Sequence, residues 1–391
     1  MAVSRPVRAV AVLAAGALTW VLAAAPAVAD DIRDQQWPLQ AYEASTKVWP
    51  VSEGEGVTVA VLDTGVLADH QDLTGQVLPG ADFTGENTNG QRDAVGHGTA
   101  MASLIAGHGH ADLAGVMGLA PKARILPVRI GLRDADTVVA GPELRFAEAL
   151  RYAVDRGAKV VNMSFAAALR TDRDARSAVQ YALSHDVVLV AGSGNLGAEV
   201  AYPAAFPGVV AVGAIDRKGN IWEKSDRGPE VSVVAPGVEI RDAGSKSPTD
   251  YRYATGTSDA TAYVSAIAAL VRAKYPSLSA GQVIRRMITS AAAPPDGSVT
   301  PNERYGYGIA SPSKSLAANP AVDDGPRDNP LLARVESQGA PESVAASAVP
   351  VVGAAGGTPG WLYVAGGVVA ALVVAGVGFL VRKGRQAPGA H

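Results

Sequence analysis

The sequence predicts an α/β domain whose mainly parallel sheet carries helices on both faces. Three observations lead there. Short apolar runs rich in β-branched residues recur at 57–62 (VTVAVL), 125–129 (ILPVR), 159–163 (KVVNM), 187–191 (VVLVA) and 209–213 (VVAVG). They lack polar alternation, as expected of strands buried on both sides. Between and after them, 98–106, 143–156, 172–185, 257–274 and 279–291 are patterned as helices, and strands alternating with helices imply parallel pairing. Finally, 48% apolar and 18% charged residues, with 43 Gly and 25 Pro in no repeat, exclude a disordered or fibrous chain.

The elements follow in order along 391 residues. Residues 1–29 begin with Arg5 and Arg8, continue as an Ala/Val/Leu run and end in Ala27-Val28-Ala29. This is the layout of a secretory signal cleaved before Asp30, with an uncleaved N-terminal anchor as the alternative. Residues 30–56 form an N-terminal extension, and 57–316 the α/β domain. From 317 to 360 the chain turns to Ala, Pro, Gly, Ser and scattered charge, the composition of a flexible linker. Residues 361–381 (WLYVAGGVVAALVVAGVGFLV) carry no charge. At about 1.5 Å per residue they are long enough for a hydrocarbon core of about 30 Å. Trp361 and Tyr363 suit the interface, and Arg382, Lys383 and Arg385 place 382–391 in the cytoplasm. A single C-terminal transmembrane helix is therefore expected, with the body outside the cell. A buried core helix fits these flanks poorly, and a sortase signal would need a Leu-Pro-any-Thr-Gly-like motif upstream, which is absent. The two apolar ends account for much of the mean hydropathy of +0.13.

The whole chain has net charge −3, and without the five basic residues of its two ends the segment 30–360 has −8, so no nucleic-acid surface is indicated. Cysteine is absent, which excludes disulfides, a thiol nucleophile and thiolate metal sites.

Parallel α/β sheets place their sites at the carboxyl ends of strands. The first strand ends in Leu62-Asp63-Thr64-Gly65, where Asp63 is either a loop cap or an active-site carboxylate. Asp-Thr-Gly also marks aspartic proteases, but two such aspartates are needed there and this chain has one copy. His97, in Gly96-His97-Gly98-Thr99, opens a helix between glycines that leave its ring uncrowded. His108 and His110 nearby suggest a metal cluster only weakly, without helical spacing or Cys. Ser258, in Gly256-Thr257-Ser258, starts a long Ala-rich helix: an N-cap in the plain reading, a nucleophile beside backbone donors in the functional one. Asn195 ends the strand block VLVAGSGN, where its amide could donate to a developing oxyanion.

The order Asp, His, Ser is that of subtilisin in the general account of convergent triads. The blocks VAVLDTGV (59–66), GHGTAMAS (96–103), VLVAGSGN (188–195) and GTSDATAYVSA (256–266) resemble those of the subtilisin-like serine proteases over about residues 40–316. The resemblance implies a subtilisin-like fold and peptide-bond hydrolysis, with Ser258 as nucleophile, His97 as base, Asp63 as its orienting partner and Asn195 in the oxyanion hole. It further implies that Ser164, Phe165 and Ala166 bind substrate backbone, and that Ser225–Gly228 and Val234–Gly237 are later loops of the family. The short extension, linker and C-terminal anchor resemble the mycosins, membrane-anchored subtilases associated with type VII secretion. That would imply a protein or peptide substrate outside the cytoplasm and a secretion membrane complex as partner. The alternative is a catalytically weak scaffold stabilising such a complex.

Several positions depart from the family pattern. Ala262 stands in place of a proline, Ala166 in place of a glycine that would leave a wider pocket, and the carboxylate of Asp259 directly follows Ser258. A nearby Asp259 anion should favour charged His97. The lack of cysteine departs from many mycosins. No cofactor is expected. Asp72 matches a calcium ligand of some subtilases, but one carboxylate falls far short of six to eight oxygen ligands.

Overall fold

The computed structural model describes residues 31–131 and 144–334, all within one compact unit, Met1–Gln338. The sheet has seven parallel strands: β1 (Thr58–Asp63), β2 (Ala81–Asp82), β3 (Arg124–Arg129), β4 (Val160–Met163), β5 (Val188–Gly192), β6 (Val210–Ile215) and β7 (Val231–Pro236). Their spatial order is β2-β3-β1-β4-β5-β6-β7. All five expected strands are present. The two-residue β2 and the strand β7 complete the edges and were not expected. A second, antiparallel pair, β8 (Ile240–Ala243) with β9 (Tyr251–Ala254), follows β7.

The side chains of β1 explain the layering. Val59 and Val61 enter one apolar cluster, while Ala60 and Leu62 enter the other. Strands β5 and β6 divide in the same way, so each strand is buried on both sides and its sequence lacks alternation. One layer holds α2 (His97–Ala106), α5 (Thr257–Lys274) and α6 (Ala280–Thr289); the other holds α3 (Phe146–Asp155) and α4 (Arg173–Ser184). Helix α5 is buried on every side from Thr257 to Arg272, which suits a sequence rich in Ala and other small or apolar residues.

Both ends of the domain reach further than the composition suggests. In the extension, α1 (Trp37–Ala41) and a π turn at Ala44–Val48 place Trp37, Leu39, Tyr42, Ala44 and Val48 in the α2/α5 core. Residues 317–334, read above as the start of a linker, contain α8 (Pro320–Asp323), which follows α7 (Pro312–Leu316), and bury Val322 and Leu331. Polar composition hid this docking because it is fastened largely through hydrogen bonds and the buried Arg286. The predicted span 361–381 lies outside the described residues. Among the described residues no helix is long and apolar enough to cross a membrane.

Candidate active site

Strand order reverses at β1, which has β3 on one side and β4 on the other. The carboxyl end of such a strand opens into a crevice, and Asp63 is its last residue. Asp63 is fully buried and receives Nδ1 of His97 at 2.8 and 2.9 Å on its two oxygens. The backbone N–H of Thr64 also donates to Oδ1, at 2.7 Å.

His97 opens α2. The two elements meet so closely that a Cβ on Gly98 would lie 2.0 Å from the carbonyl oxygen of Gly65; only glycine permits that approach. Asp93, 6% exposed, ties the junction together. Its Oδ1 accepts from Thr64 Oγ1 at 2.9 Å and from the N–H of Gly96 at 2.7 Å. Its Oδ2 accepts from the N–H and hydroxyl of Thr99 at 2.9 and 2.7 Å. The sequence reading passed over Asp93; the signal was an acid just ahead of a helix whose own first turn holds none.

Burial is the largest influence on His97 and favours its neutral form, but the charge and hydrogen bond of Asp63 outweigh it and leave the imidazole above its ordinary value. Arg252 lowers it, and Asp259 raises it by less. The other ring nitrogen, Nε2, is buried and has no partner among the described residues.

Ser258 is the second residue of α5 and 7% exposed. Its hydroxyl donates to the Ser164 carbonyl at 3.1 Å, and the Ser164 hydroxyl donates to the Ser258 carbonyl at 3.0 Å. The structure thus joins Asp63 to His97 directly and records Ser258 on the segment after β4. Asn195 follows β5 with its Oδ1 held by the N–H and hydroxyl of Thr257, both at 2.9 Å. This fixes the amide, and its Nδ2 lies 3.4 Å from where a Gly256 Cβ would stand.

A cleft beside Ser258 is lined by Phe165, Ala166, Gly192, Gly194, Asn195 and Asp226, among others. Of the three expected substrate-binding residues, Ser164 directs its hydroxyl inward to α5. Phe165 packs in the core edge-to-face on Phe146, with ring centroids 6.1 Å apart. Asp226 braces the segment after Asn195 by accepting the N–H groups of Leu196 and Ala198 at 2.9 and 2.8 Å; burial holds its carboxyl above the usual range. Asp72 lies elsewhere. Its Oδ1 pairs with His110 Nδ1 at 2.7 Å, and its Oδ2 accepts from Tyr251 OH and the Val116 N–H. Both oxygens are therefore held by protein donors, and no group of three His or acidic residues suited to a metal occurs among the described residues.

A parallel sheet with a buried Asp–His pair at its switch point, and a cleft lined by a serine at a helix start and an oriented amide, has the layout of a serine hydrolase. Residues 54–308 match the family model described as "Subtilase family", and the chain belongs to that family of serine peptidases. It is 36% identical over 235 residues to thermitase of Thermoactinomyces vulgaris, covering 60% of this chain and 81% of that protein. It is 37% identical over 225 residues to a thermophilic serine proteinase of Bacillus sp. (strain AK1), with 57% and 54% covered, so it spans about half the length of that relative. Among solved structures, the MycP3 protease from the type VII (ESX-3) secretion system aligns with TM-score 0.63 at 33% identity, covering 72% of this chain and 88% of that one. MycP1 from Mycobacterium smegmatis aligns with TM-score 0.65 at 27% identity, covering 80% and 90%.

Proposed function

We propose that this chain is a subtilisin-type serine endopeptidase facing outside the cell, tethered by 361–381 and acting with a type VII secretion membrane complex. The observation that carries the catalytic reading is the buried Asp63–His97 hydrogen bond at the carboxyl end of β1. Likeness to secretion-system proteases supports the biological setting, and the apolar C-terminal run followed by basic residues supports the tether.

In this mechanism the Ser258 hydroxyl leaves the Ser164 carbonyl and turns to Nε2 of His97. That nitrogen accepts its proton as the oxygen attacks the scissile carbonyl. Asp63, hydrogen-bonded at Nδ1, keeps the ring in the tautomer with Nε2 unprotonated and stabilises the imidazolium that forms. The oxyanion takes hydrogen bonds from Asn195 Nδ2 and the Ser258 N–H. His97 then gives its proton to the leaving amine, the carbon–nitrogen bond breaks, and water repeats the sequence on the acyl-serine. Ala166 bounds the cleft where the side chain preceding the scissile bond would lie, and its methyl group narrows it.

A fluorophosphonate probe tests this. Full-length protein should be labelled covalently and lose labelling in Ser258→Ala. A well-folded protein that is not labelled, with secretion restored by Ser258→Ala, would overturn the enzyme reading in favour of the scaffold. For the tether, a chain ending at residue 360 should leave the membrane fraction for the medium.

A further inference from the structure

Behind the Asp63–His97 pair lies a second set of charged side chains that peptide hydrolysis does not use. Asp259 is 2% exposed in the first turn of α5, and Asp242 is fully buried on β8. Their carboxyls are near neighbours, each bearing on the other's protonation. Asp259 Oδ1 and Asp242 Oδ2 are both buried oxygens that receive no donor among the described residues. The cation on this pair is Arg252 of β9, whose Nε donates to Asp242 Oδ1 at 3.0 Å.

Two ionised carboxylates cannot hydrogen-bond to each other, since neither has a proton to donate, and like charges this deep do not both ionise. A proton between them supplies the missing donor. We propose that Asp242 and Asp259 share one proton, and that with Arg252 they form a buried brace of zero net charge that seats the start of α5, and hence Ser258, without charging His97. The brace joins β8, β9 and α5 at the residue next to the nucleophile. It also revises what the sequence implied, because Asp259 does not face His97 as a full extra anion.

The surrounding groups agree with this assignment. His97 faces the brace from α2, Asp93 faces Arg252 from the loop before α2, and Tyr263 faces both carboxyls from α5. With His97 neutral, as the base must be, none of these supplies a second cation, so Arg252 balances one negative charge and not two. Burial, the largest influence on both carboxyls, pushes Asp242 up to about 8 and Asp259 up to about 6. The folded state therefore binds protons more tightly than the unfolded chain does. The stabilisation is complete below the ordinary value of 3.8 and is lost as pH rises, first through about 6 and then through about 8. Once the shared proton leaves, two anions face one arginine and the brace loosens.

The brace belongs to the fold, but its kinetic consequence rests on the peptidase reading above, so the test has two separate arms. In the first, infrared spectra of the full-length protein in detergent are recorded through neutral and alkaline pH. A protonated-carboxyl C=O band should be present at pH 7, vanish near pH 8, and be missing from both Asp242→Asn and Asp259→Asn. No such band in the wild type, or a band that survives in either variant, would overturn the proposal; the wild-type titration alone decides if the variants do not fold. In the second arm, the rate of fluorophosphonate labelling is followed against pH. Asp259→Asn should leave the acid midpoint in place and abolish the decline above about pH 8. Asp259→Leu, which cannot hydrogen-bond, should label at least tenfold more slowly, a loss that Asn avoids. An acid midpoint that falls in Asp259→Asn would show Asp259 acting as a full anion and refute the shared proton. If the wild type is not labelled at all, the peptidase reading fails while the infrared arm still decides the brace.

Discussion

His97 shows how opposing influences on one residue set a measurable pH dependence. Its burial favours the neutral ring and Asp63 favours the charged one, and the net direction is upward from 6.5. The proposed base acts only when neutral. Activity should therefore fall on acidification with a midpoint above 6.5, and Asp63→Asn should lower that midpoint while reducing the rate by roughly 10⁴-fold, as in a comparable triad variant. Rates of Ser258 labelling across pH check both; a midpoint below 6.5 in the wild type would contradict the ion pair. The sign for stability runs the other way from that for activity. A raised histidine stabilises the fold fully below about 6.5, and this contribution is lost as pH rises through its folded value. Acid thus protects this pair in the folded protein even as it silences the base. The candidate site was legible at this scale because Asp63, His97, Asn195 and Ser258 each sit at a strand end or helix start marked by glycine. Asp242 and Arg252 were not legible, since their contacts arise from the β8–β9 hairpin: its loop 244–250 (GSKSPTD) reads as a turn, but strands of four residues each are too short to show a period.

Among the elements, the five central strands and their helices could be read because apolar runs report burial directly. The edges could not: β2 is two residues long, and β7 resembles a loop where it ends in Pro236-Gly237. The segment 317–334 was misread for a different reason. Its attachment runs through polar side chains of α6 and its cap: Ser279 and Gln282, which donate to the carbonyls of Arg327 and Asp323, and Arg286, which is 1% exposed. Arg286 Nε donates to Asp323 Oδ1 at 2.7 Å, and Nη1 donates to the carbonyls of Ser315 and Ala317 at 3.0 and 2.6 Å. Its guanidinium also lies over the Tyr275 ring, 4.0 Å from the centroid. A pattern of hydrophobicity carries no trace of such a hub. Arg286→Ala should cost about 3 kcal/mol, the low end for breaking a buried pair because Asp323 keeps some access to water. Denaturant unfolding measures the loss, and proteolysis should then begin within 312–334; a variant as stable as the wild type would show that α7 and α8 are held by other contacts.

For the whole molecule, the governing fact is that a chain without cysteine must hold its fold without disulfides, by packing and hydrogen bonding. The seven-stranded sheet gives it two cores, and the extension completes the one that contains α2 and α5. Trp37 donates from Nε1 to the Val238 carbonyl at 3.0 Å, and Trp49 likewise to the Leu119 carbonyl at 3.0 Å. Tyr42 packs edge-on against Tyr263 of α5, with centroids 6.0 Å apart, and Gln36 exchanges two hydrogen bonds with the backbone of Met117. None of these contacts reaches Ser258, His97 or the cleft beside them. An inhibitory segment would cover the cleft and its removal would raise activity. This segment instead packs on α5, the helix that presents Ser258, and fastens to the backbone at Met117, Leu119 and Val238. Removing residues 30–48 should therefore lower both stability and activity. Each large apolar side chain it withdraws contributes about 1.5–3 kcal/mol, so losing Trp37, Leu39 and Val48 together is comparable with the whole stability of a typical domain. Trp37→Ala gives the graded version of the test: it should lower the midpoint of thermal unfolding, and at temperatures below that midpoint the labelling rate of Ser258 should fall or stay level. A labelling rate that rises in Trp37→Ala or in the deletion would mean that the extension restrains the site, and that its place in the core serves a second purpose.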